Sequence, residues 1–337
     1  MNQTAVVILN YNGRKYLMDF LPSVISHSLD TDIYVADNAS TDDSVQLLKE
    51  LFPSVKIIQL AKNHGFAQGY NEALLQIKSV TTFKYYILLN SDVEVPQNWI
   101  KPMFDLMESN QNIAACQPKI KAYHEKTHFE YAGAAGGFID RLGYPFCRGR
   151  VFLSLEEDLG QYNDNVEVFW ATGACMFVRA NIFHEVGGFD GDFFAHMEEI
   201  DLCWRMKHAG YQIFTCGGSE VYHVGGGTLH KSNPHKTFLN FRNGLAMLYK
   251  NHPDKGLFKT IFTRLILDGI AGIKFLFFDT WQDCWAVAKA HFNFYANFGS
   301  WYKKRQKIQK RDNIGQIFTH NIVWQHFIKG KERFDEM

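Results

Sequence analysis

Four short apolar runs dominate the first hundred positions of the chain. They cover residues 5–9, 32–36, 55–60 and 83–89, and each one stops at polar residues. The stretches between them carry apolar residues at helical spacing, so the pattern predicts four successive β-α units. Such units form a parallel sheet with right-handed crossovers, whose strands all end at one edge. The sequence therefore predicts an α/β fold with a ligand crevice along that edge.

Polar side chains follow the predicted strands at this edge. They are Asn10, Asp37, Asn63 and Asp92. A carboxylate at the end of a buried strand can hold a cation against a phosphate-bearing ligand, which makes Asp92 the first candidate metal ligand. Two simpler interpretations stay open, because residues 90–92 also suit a plain turn and Asp37 also suits a helix cap.

Composition and missing motifs argue against several classes of protein. The turn after the first strand has neither the G-x-G-x-x-G pattern of dinucleotide-binding dehydrogenases nor the G-x-x-x-x-G-K-[ST] pattern of P-loop enzymes. Lys plus Arg and Asp plus Glu number 35 each, so the net charge gives no attraction for nucleic acid. Six cysteines without a C-x-x-C pair, and a start without a charged segment and a long apolar stretch, lead us to expect a reducing, cytoplasmic location.

Further strands are predicted in the second half of the chain, at residues 113–120, 166–179, 212–216 and 220–223. The last one ends at His223, before glycines at 225–227 that suit a close approach to phosphate, although an isolated histidine is more often a core or surface group. Three basic residues that follow could fold over a diphosphate: His230, Lys231 and Arg242. The glycine-rich residues 131–150 suit either a loop that closes on a substrate or a flexible connection.

Acidic residues open a predicted amphipathic helix near residue 198. They are Glu198, Glu199 and Asp201, and acids in a first turn interact favourably with the helix dipole. Asp201 and Arg205 are one turn apart and are expected to pair. Glu198 and Glu199 point to different faces of the helix, so at most one of them needs to be solvated. A functional role for one of these carboxylates is therefore the alternative to a purely structural one.

Four motifs follow one another along the first hundred residues. They are V-I-L-N-Y-N at 7–12, V-A-D-N-A-S-T-D at 35–42, N-H-G-F-A-Q-G-Y-N at 63–71 and L-L-N-S-D-V at 88–93. Together they resemble the successive motifs of family 2 glycosyltransferases with the GT-A fold, most closely the rhamnosyltransferase-like branch that builds bacterial surface polysaccharides. The resemblance covers about residues 4–250. It implies a Rossmann-like, mostly parallel sheet flanked by helices.

The resemblance also implies roles for individual residues. Asp37 and Asn63 would help to hold the nucleoside of a sugar nucleotide, and Asp92 and His223 would bind Mg²⁺ or Mn²⁺. Asn90 stands where the first aspartate of a D-x-D motif is expected. The candidate donor-binding set taken from the motifs comprises Asn10, Asp37, Asn63, Gly65, Asn71, Asn90 and Ser91.

The acidic segment resembles the E-D-x-D-L motif of the same family, whose second acid is the general base. That position is Glu199 here, and Asp190 is the rival candidate. We expect Asp201 to orient the helix through Arg205. These residues, with the metal ligands, predict an inverting transferase that moves a sugar, with rhamnose as one candidate, from a dTDP- or UDP-sugar to a lipid-linked or saccharide acceptor. The alternatives are a sugar nucleotidyltransferase and a sugar-nucleotide-binding or membrane scaffold protein without activity.

The composition shifts at about residue 238. Residues 257–278 are strongly apolar but contain four charged side chains, which favours an amphipathic helix lying in a membrane interface over a spanning one. Aromatic and basic residues at 281–305 fit an anionic membrane surface, here the inner face of the cytoplasmic membrane. A helical core subdomain or a dimer contact is the alternative. The predicted domains are a GT-A domain at 1–237, with a nucleotide half at 1–112 and an acceptor half at 113–237, and a helical C-terminal extension at 238–337.

Overall fold

The computed structural model describes residues 3–225 and 233–337. The strands there are β1 (Thr4–Asn10), β2 (Asp32–Asp37), β3 (Lys56–Gln59), β4 (Tyr85–Asn90), β5 (Val93–Glu94), β6 (Ile113–Ala122), β7 (Gly137–Asp140), β8 (Pro145–Cys147), β9 (Arg150–Val151), β10 (Ser154–Leu155), β11 (Asn165–Val168), β12 (Cys175–Arg179), β13 (Gln212–His223) and β14 (Ile317–Phe318). The α-helices are α1 (Arg14–His27), α2 (Ser44–Leu51), α3 (Gly65–Val80), α4 (Ile100–Ser109), α5 (Ala180–Glu185), α6 (Glu198–Ala209), α7 (Pro234–Asn251), α8 (Leu257–Phe278), α9 (Trp281–Ala296), α10 (Phe298–Lys307) and α11 (Ile322–Phe327).

A large mixed sheet forms the centre of the described structure. Its strands run in the order β11-β13-β6-β12-β4-β1-β2-β3, and β5 pairs with the end of β13. The four strands predicted from the first apolar runs are β1 to β4, and they are parallel as expected. β12 lies antiparallel between β4 and β6. The predicted α/β fold with a mostly parallel sheet and helical flanks is therefore confirmed.

Both faces of the sheet are covered by helices, which explains why the central strands are so apolar. Along β4, Tyr86 and Leu88 belong to one buried cluster, whereas Tyr85, Ile87 and Leu89 belong to the cluster on the opposite face. All five side chains are almost completely buried. A strand that is buried on both sides reads as a continuous apolar run rather than as an alternating one.

Two details of the predicted strands differ in the structure. Residues 166–179 form two strands, β11 and β12, which pair with different neighbours. Residues 212–223 form the single strand β13, with a register shift between Cys216 and Glu220. Gly217 interrupts the strand pattern of the sequence at this point. In the structure, a Cβ atom at Gly217 would lie 2.2 Å from the Asn163 backbone. The glycine is thus required by a close approach of two chain segments.

A second sheet lies beside the first, in the order β10-β9-β8-β7-β14. It contains much of the glycine-rich stretch 131–150, with Arg148 and Arg150 buried. β14 joins it from the C-terminal region, parallel to β7, with Ile317 opposite Ile139. The domain division at residue 237 stays a prediction, although elements from both sides of it share this sheet.

Candidate active site

The carboxyl edge of the main sheet gathers the side chains predicted to bind the donor. The register places Asn10 beside Asp37, and Leu9 beside Asn90. Asp37 is buried; its Oδ1 accepts a hydrogen bond from Asn10 Nδ2 at 3.0 Å and its Oδ2 accepts one from the Ser40 N–H at 3.0 Å. Helix α2 begins only at Ser44, so Asp37 does not cap it. These contacts tie the loop after β2 to the end of β1.

Gly13 packs closely against the end of β1 at the same edge. A Cβ atom at Gly13 would lie 2.3 Å from Asn10 Oδ1 and 3.6 Å from Ser91 Oγ. Asn10 Oδ1 is buried and has no hydrogen-bond partner among the described residues. A buried acceptor without a partner is costly unless a ligand or water serves it. Asn10 Oδ1 is therefore a candidate contact for a polar ligand.

The third motif connects this edge to the acidic segment. Asn63 Oδ1 accepts hydrogen bonds from Asn38 Nδ2 at 3.1 Å and from the Gly65 N–H at 2.8 Å. Asn71 exchanges two hydrogen bonds with the Phe189 backbone, at 2.8 and 2.9 Å. These contacts hold the loops in place, and donor binding by Asn63, Gly65 and Asn71 stays a prediction.

Asp92 and His223 meet as the sequence predicts. His223 Nε2 lies 3.2 Å from Asp92 Oδ1 and 3.3 Å from Asn90 Nδ2. The antiparallel pairing of β5 with the end of β13, which sets Val93 opposite His223, brings them together. The Val224 N–H also donates to the Asp92 carbonyl at 3.0 Å. Residues far apart in sequence thus form one polar centre.

Glu130 completes this centre and was not found by sequence reasoning. Its Oε2 lies 3.0 Å from His223 Nδ1 and accepts a hydrogen bond from the Ala132 N–H at 2.6 Å. A carboxylate on the second ring nitrogen is the usual partner of a metal-binding histidine, because it fixes the orientation of the ring. Glu130 belongs to no motif and follows no predicted strand, so the sequence carries no signal for it.

The two carboxylates and the histidine of this centre shift one another's pKa values. Burial lowers the pKa of His223, but Asp92 and Glu130 outweigh burial and raise it to about 10. Burial raises the pKa of Asp92, yet His223 and backbone hydrogen bonds hold it below its usual value. The three side chains are therefore a carboxylate, an imidazolium and a carboxylate at neutral pH.

Asp92 and His223 suit a divalent cation that is shared with a substrate. Among residues 3–225 and 233–337, no three His, Cys, Asp or Glu side chains are already arranged to hold a metal ion. Mg²⁺ and similar hard cations commonly use one or two protein carboxylates and take further oxygens from substrate phosphates and water. A metal-binding histidine must be deprotonated, so a cation would take the place of the proton on His223 Nε2. With that exchange, one carboxylate and one imidazole fit an ion that a diphosphate completes.

Glu198 and Glu199 open helix α6 and carry unusual pKa values. Burial raises the pKa of Glu199 to about 7, and burial together with Glu199 raises that of Glu198 well above its usual value. Each has one carboxylate oxygen without a partner among the described residues. Glu198 is only 4% exposed, whereas Glu199 is partly exposed. Glu199 is therefore the less buried residue of the two, and its pKa suits a general base at neutral pH.

Asp190 has a different environment. Its Oδ2 lies 2.5 Å from Lys250 Nζ, and its Oδ1 pairs with Lys304. Burial raises the pKa of Asp190, but the two lysines outweigh burial and hold it far below its usual value. A carboxylate that is so strongly held as an anion is a weak proton acceptor. The electrostatics therefore favour Glu199 over Asp190 as the base.

Asp201 and Arg205 pair as expected, with Arg205 Nε 2.9 Å from Asp201 Oδ2. Asp201 also contacts Lys250 at 2.9 Å and Asn251 at 2.8 Å, both on α7. Arg205 donates to the Val186 carbonyl at 2.6 Å. These contacts hold α6 in place against its neighbours.

The Cys147 thiol is influenced by charges from both parts of the candidate site. Burial raises the pKa of Cys147, Arg150 lowers it, and the charges of Glu130 and Glu199 raise it further. Arg150, whose guanidinium lies 4.4 Å from the Tyr131 ring, donates to Cys147 Sγ at 3.4 Å. That Asp92, His223 and Glu199 belong to one active site stays a prediction.

Of the three basic residues expected to fold over a diphosphate, only Arg242 lies within the described residues. His230 and Lys231 lie outside the described residues. Arg242 donates to the backbone carbonyls of Asp192 and Phe193, at 2.8 and 3.1 Å. In this structure, Arg242 therefore holds the segment that leads to the acidic helix.

Solved structures with a similar fold are glycosyltransferases. GalNAc-T7 with UDP, GalNAc and Mn²⁺ matches with a TM-score of 0.58 and 16% identity, over 75% of this chain and 49% of GalNAc-T7. The mannosyltransferase PcManGT from Pyrobaculum calidifontis, in complex with GDP-Man and Mn²⁺, matches with a TM-score of 0.50 and 13% identity, over 90% of this chain and 84% of PcManGT. The fold is the GT-A glycosyltransferase fold.

Sequence comparison identifies the family. Residues 5–187 match the family model described as glycosyl transferase family 2, so this chain belongs to that family and is a glycosyltransferase. N-acetylglucosaminyl-diphospho-decaprenol L-rhamnosyltransferase of Mycobacterium tuberculosis is 25% identical, over 65% of this chain and 75% of the relative. Rhamnosyltransferase WbbL of Escherichia coli is 23% identical, over 62% and 78%. The predicted resemblance to rhamnosyltransferases is confirmed.

Proposed function

We propose that this glycosyltransferase inverts the anomeric configuration of a sugar that it moves from a nucleoside diphosphate donor to an acceptor hydroxyl. The observation that carries the proposal is the contact of the two candidate metal ligands, with His223 Nε2 3.2 Å from Asp92 Oδ1, and the pKa of about 7 supports Glu199 as the base. Glu199 would remove the acceptor proton while the oxygen attacks the anomeric carbon from the face opposite the diphosphate. Mg²⁺ or Mn²⁺ would neutralise charge on the leaving diphosphate.

We also propose the chemical class of the substrates. Two relatives are named as rhamnosyltransferases, and one of these names specifies a diphospho-decaprenol acceptor. By analogy, the donor is a dTDP- or UDP-sugar, with rhamnose as one candidate, and the acceptor is lipid-linked or a saccharide. The product would enter surface polysaccharide synthesis.

Thermal unfolding with and without ligands tests the proposal directly. The protein is screened with nucleoside diphosphates and their sugars, each with Mn²⁺, Mg²⁺ or a chelator. A ligand present at 100 times its dissociation constant should stabilise the fold by about 2.7 kcal/mol. Donors that stabilise are then incubated with acceptors, and the product's anomeric configuration is determined by NMR. Retained configuration would contradict the inverting mechanism, and release of pyrophosphate from a nucleoside triphosphate would identify a nucleotidyltransferase instead.

Helix α8 has an unusual distribution of side chains. Its buried face carries Arg264 and Asp268, whose Nε and Oδ1 atoms are 2.9 Å apart, and Tyr144 donates to the same Asp268 oxygen at 3.0 Å. Its outer face carries large apolar side chains three or four residues apart, each at least half exposed: Phe258, Phe262, Ile266, Ile270, Ile273 and Phe277. Arg264 and Asp268 thus point inward, whereas Lys259 and Lys274 are exposed together with the apolar side chains of the outer face.

Helix α9 extends this surface with further exposed aromatic side chains. They are Trp281, Trp285, Phe292 and Tyr295, and together with the outer residues of α8 they form what we call the α8–α9 apolar face. Among the described residues, no helix is both long and apolar enough to span a membrane. Residues 256–337 contain thirteen Lys and Arg but only seven Asp and Glu. We propose that this face lies on an anionic membrane, peripherally on the inner side of the cytoplasmic membrane.

A multiple substitution on α8 should abolish membrane binding without unfolding the protein. We expect the wild type to float with anionic liposomes at low salt. The variant that combines Phe258→Ser, Phe262→Ser, Ile270→Ser and Phe277→Ser should remain in the bottom fraction of the gradient. It should still fold, because all four side chains are exposed. High salt should weaken wild-type binding through screening.

A matched control replaces two exposed leucines elsewhere in the chain: Leu153→Ser and Leu159→Ser. In the wild type these side chains are 77% and 75% exposed. It should float like the wild type. Unchanged flotation of the α8 variant would contradict the membrane proposal. A dimer that the α8 variant converts to a monomer would identify the face as a subunit contact instead.

A further inference from the structure

A strained turn lies directly before the base. Phe194 has φ 64° and ψ −62°, and the Ala195 N–H donates to the Phe193 carbonyl at 2.7 Å, which defines a γ-turn of the rare, strained hand. His196 and Met197 follow with φ 70° and φ 69°. Non-glycine residues rarely adopt positive φ values, and three within four positions persist only where the surroundings hold them.

Asn243 on α7 holds this turn from one side. Its Nδ2 group donates to the carbonyls of Phe193, Ala195 and His196, at 2.9, 2.8 and 2.8 Å, and the residue is fully buried. Asn243 Oδ1 accepts from Arg242 Nε at 2.8 Å, which fixes the orientation of the amide. The two N–H groups of one side chain are therefore shared among three carbonyls of the strained segment.

Helix α3 holds the turn from the other side. The Phe66 and Ala67 N–H groups at its start donate to the Phe194 carbonyl at 2.7 and 3.1 Å. Gly65 is required here, because a Cβ atom would lie 2.4 Å from the Phe194 ring. Helix α3 follows the motif predicted to bind the donor. The segment before Glu199 is thus fixed between the donor side of the site and α7.

We propose that Asn243 is a positioning residue for catalysis: by holding the strained segment 193–197, it fixes the start of α6 and aims the Glu199 carboxylate at the acceptor hydroxyl. The inference rests on the proposed function, since it needs Glu199 to be the base. Asn243 is more than 40 residues from Glu199 in sequence and is fully buried. Its effect is on the orientation of the base, so it should appear in the catalytic step rather than in donor binding.

Asn243→Asp is the sharpest test, because aspartate has nearly the same shape but lacks both amide donors. We expect kcat to fall by up to about 100-fold, as a displacement of about 1 Å at a reacting group can cause, while the donor KM changes by less than about two-fold. Hydrogen exchange should become faster in peptides that cover residues 190–200. Asn243→Ala serves as a second variant, and Asn240→Ala, on the same helix, is the matched control.

The outcomes separate this proposal from the assignment of the base. A normal kcat in Asn243→Asp, or a fall in kcat that is matched by equal losses of donor binding and of thermal stability, overturns the positioning role. If Glu199→Gln retains turnover, the base assignment fails, whatever the Asn243 variants show. Loss of kcat in Asn243→Asp and Asn243→Ala, with faster exchange at 190–200 and a wild-type control, supports the inference.

Discussion

Replacing Glu199 with glutamine should lower turnover by about 10²–10⁴-fold while donor affinity stays nearly constant, because the glutamine cannot accept the acceptor proton. The amide has almost the same shape, so the start of α6 should keep its structure. Burial raises the pKa of Glu199 to about 7, and glutamine removes the cost of a buried charge. The variant should therefore be at least as stable to heat as the wild type at neutral pH. Initial rates with saturating donor, and calorimetric titration with the nucleoside diphosphate, measure the two effects.

The pH dependence of the wild type follows from the same pKa. A base acts only when it is deprotonated, so the rate should rise as the pH increases through about 7 and then level off. Glu198 lies beside Glu199 and its pKa is raised too, so the observed value belongs to the pair. In Glu199→Gln this limb of the profile should disappear.

Asp190→Asn is the matched control for the base. It removes a carboxylate that is paired with Lys250 and Lys304, so it should lower thermal stability and leave the pH limb near its wild-type position. If Asp190→Asn lost turnover at constant stability while Glu199→Gln kept it, the two roles would be reversed.

Asp92→Ala should abolish metal-dependent binding of nucleoside diphosphates. Loss of a residue that merely orients a metal ligand weakens metal affinity by about 10–100-fold, so loss of a carboxylate ligand should cost more. The fold should survive, because His223 keeps its contact with Glu130 at 3.0 Å. Titration of the protein with UDP and dTDP in Mn²⁺, repeated with a chelator, measures the effect.

Glu94→Gln provides the control for this experiment. Glu94 lies two residues from Asp92 but pairs with Lys126, and its side chain is 30% exposed. The variant should bind nucleotide with unchanged metal dependence. If Asp92→Ala bound nucleotide as tightly as the wild type and with the same metal dependence, Asp92 would not be a metal ligand. The donor phosphates would then be held without it.

The sequence predicts those parts of the site that follow from local pattern. Strands buried on both faces produce continuous apolar runs, and the polar residues that end them, such as Asp37 and Asp92, can be located by counting. Glu130 could not be found this way, because it reaches His223 only through the pairing of distant strands. Asn243 was missed for a similar reason, since its partners are backbone carbonyls, which have no signature in sequence.

For the C-terminal helices, the sequence predicts the helix but not the side that faces the protein. The apolar run at 257–278 predicts a helix, and α8 (Leu257–Phe278) occupies those residues. Which side faces the protein depends on partners elsewhere in the chain. The Tyr144 hydroxyl donates to Asp268 and Arg264 donates to the Leu142 carbonyl, and this turns the apolar residues outward. The hydrophobic pattern alone could not choose between this orientation and a helix with its apolar side in the core.

Strand β14 has a consequence for the order in which the chain acquires its structure during synthesis. β7 emerges from the ribosome long before Ile317 and Phe318, so one edge of the second sheet stays unpaired until the helical region has been translated. An open strand edge invites pairing with other chains. We therefore expect proteins that end before residue 317 to aggregate during expression, even when all residues of the metal centre and the base are present.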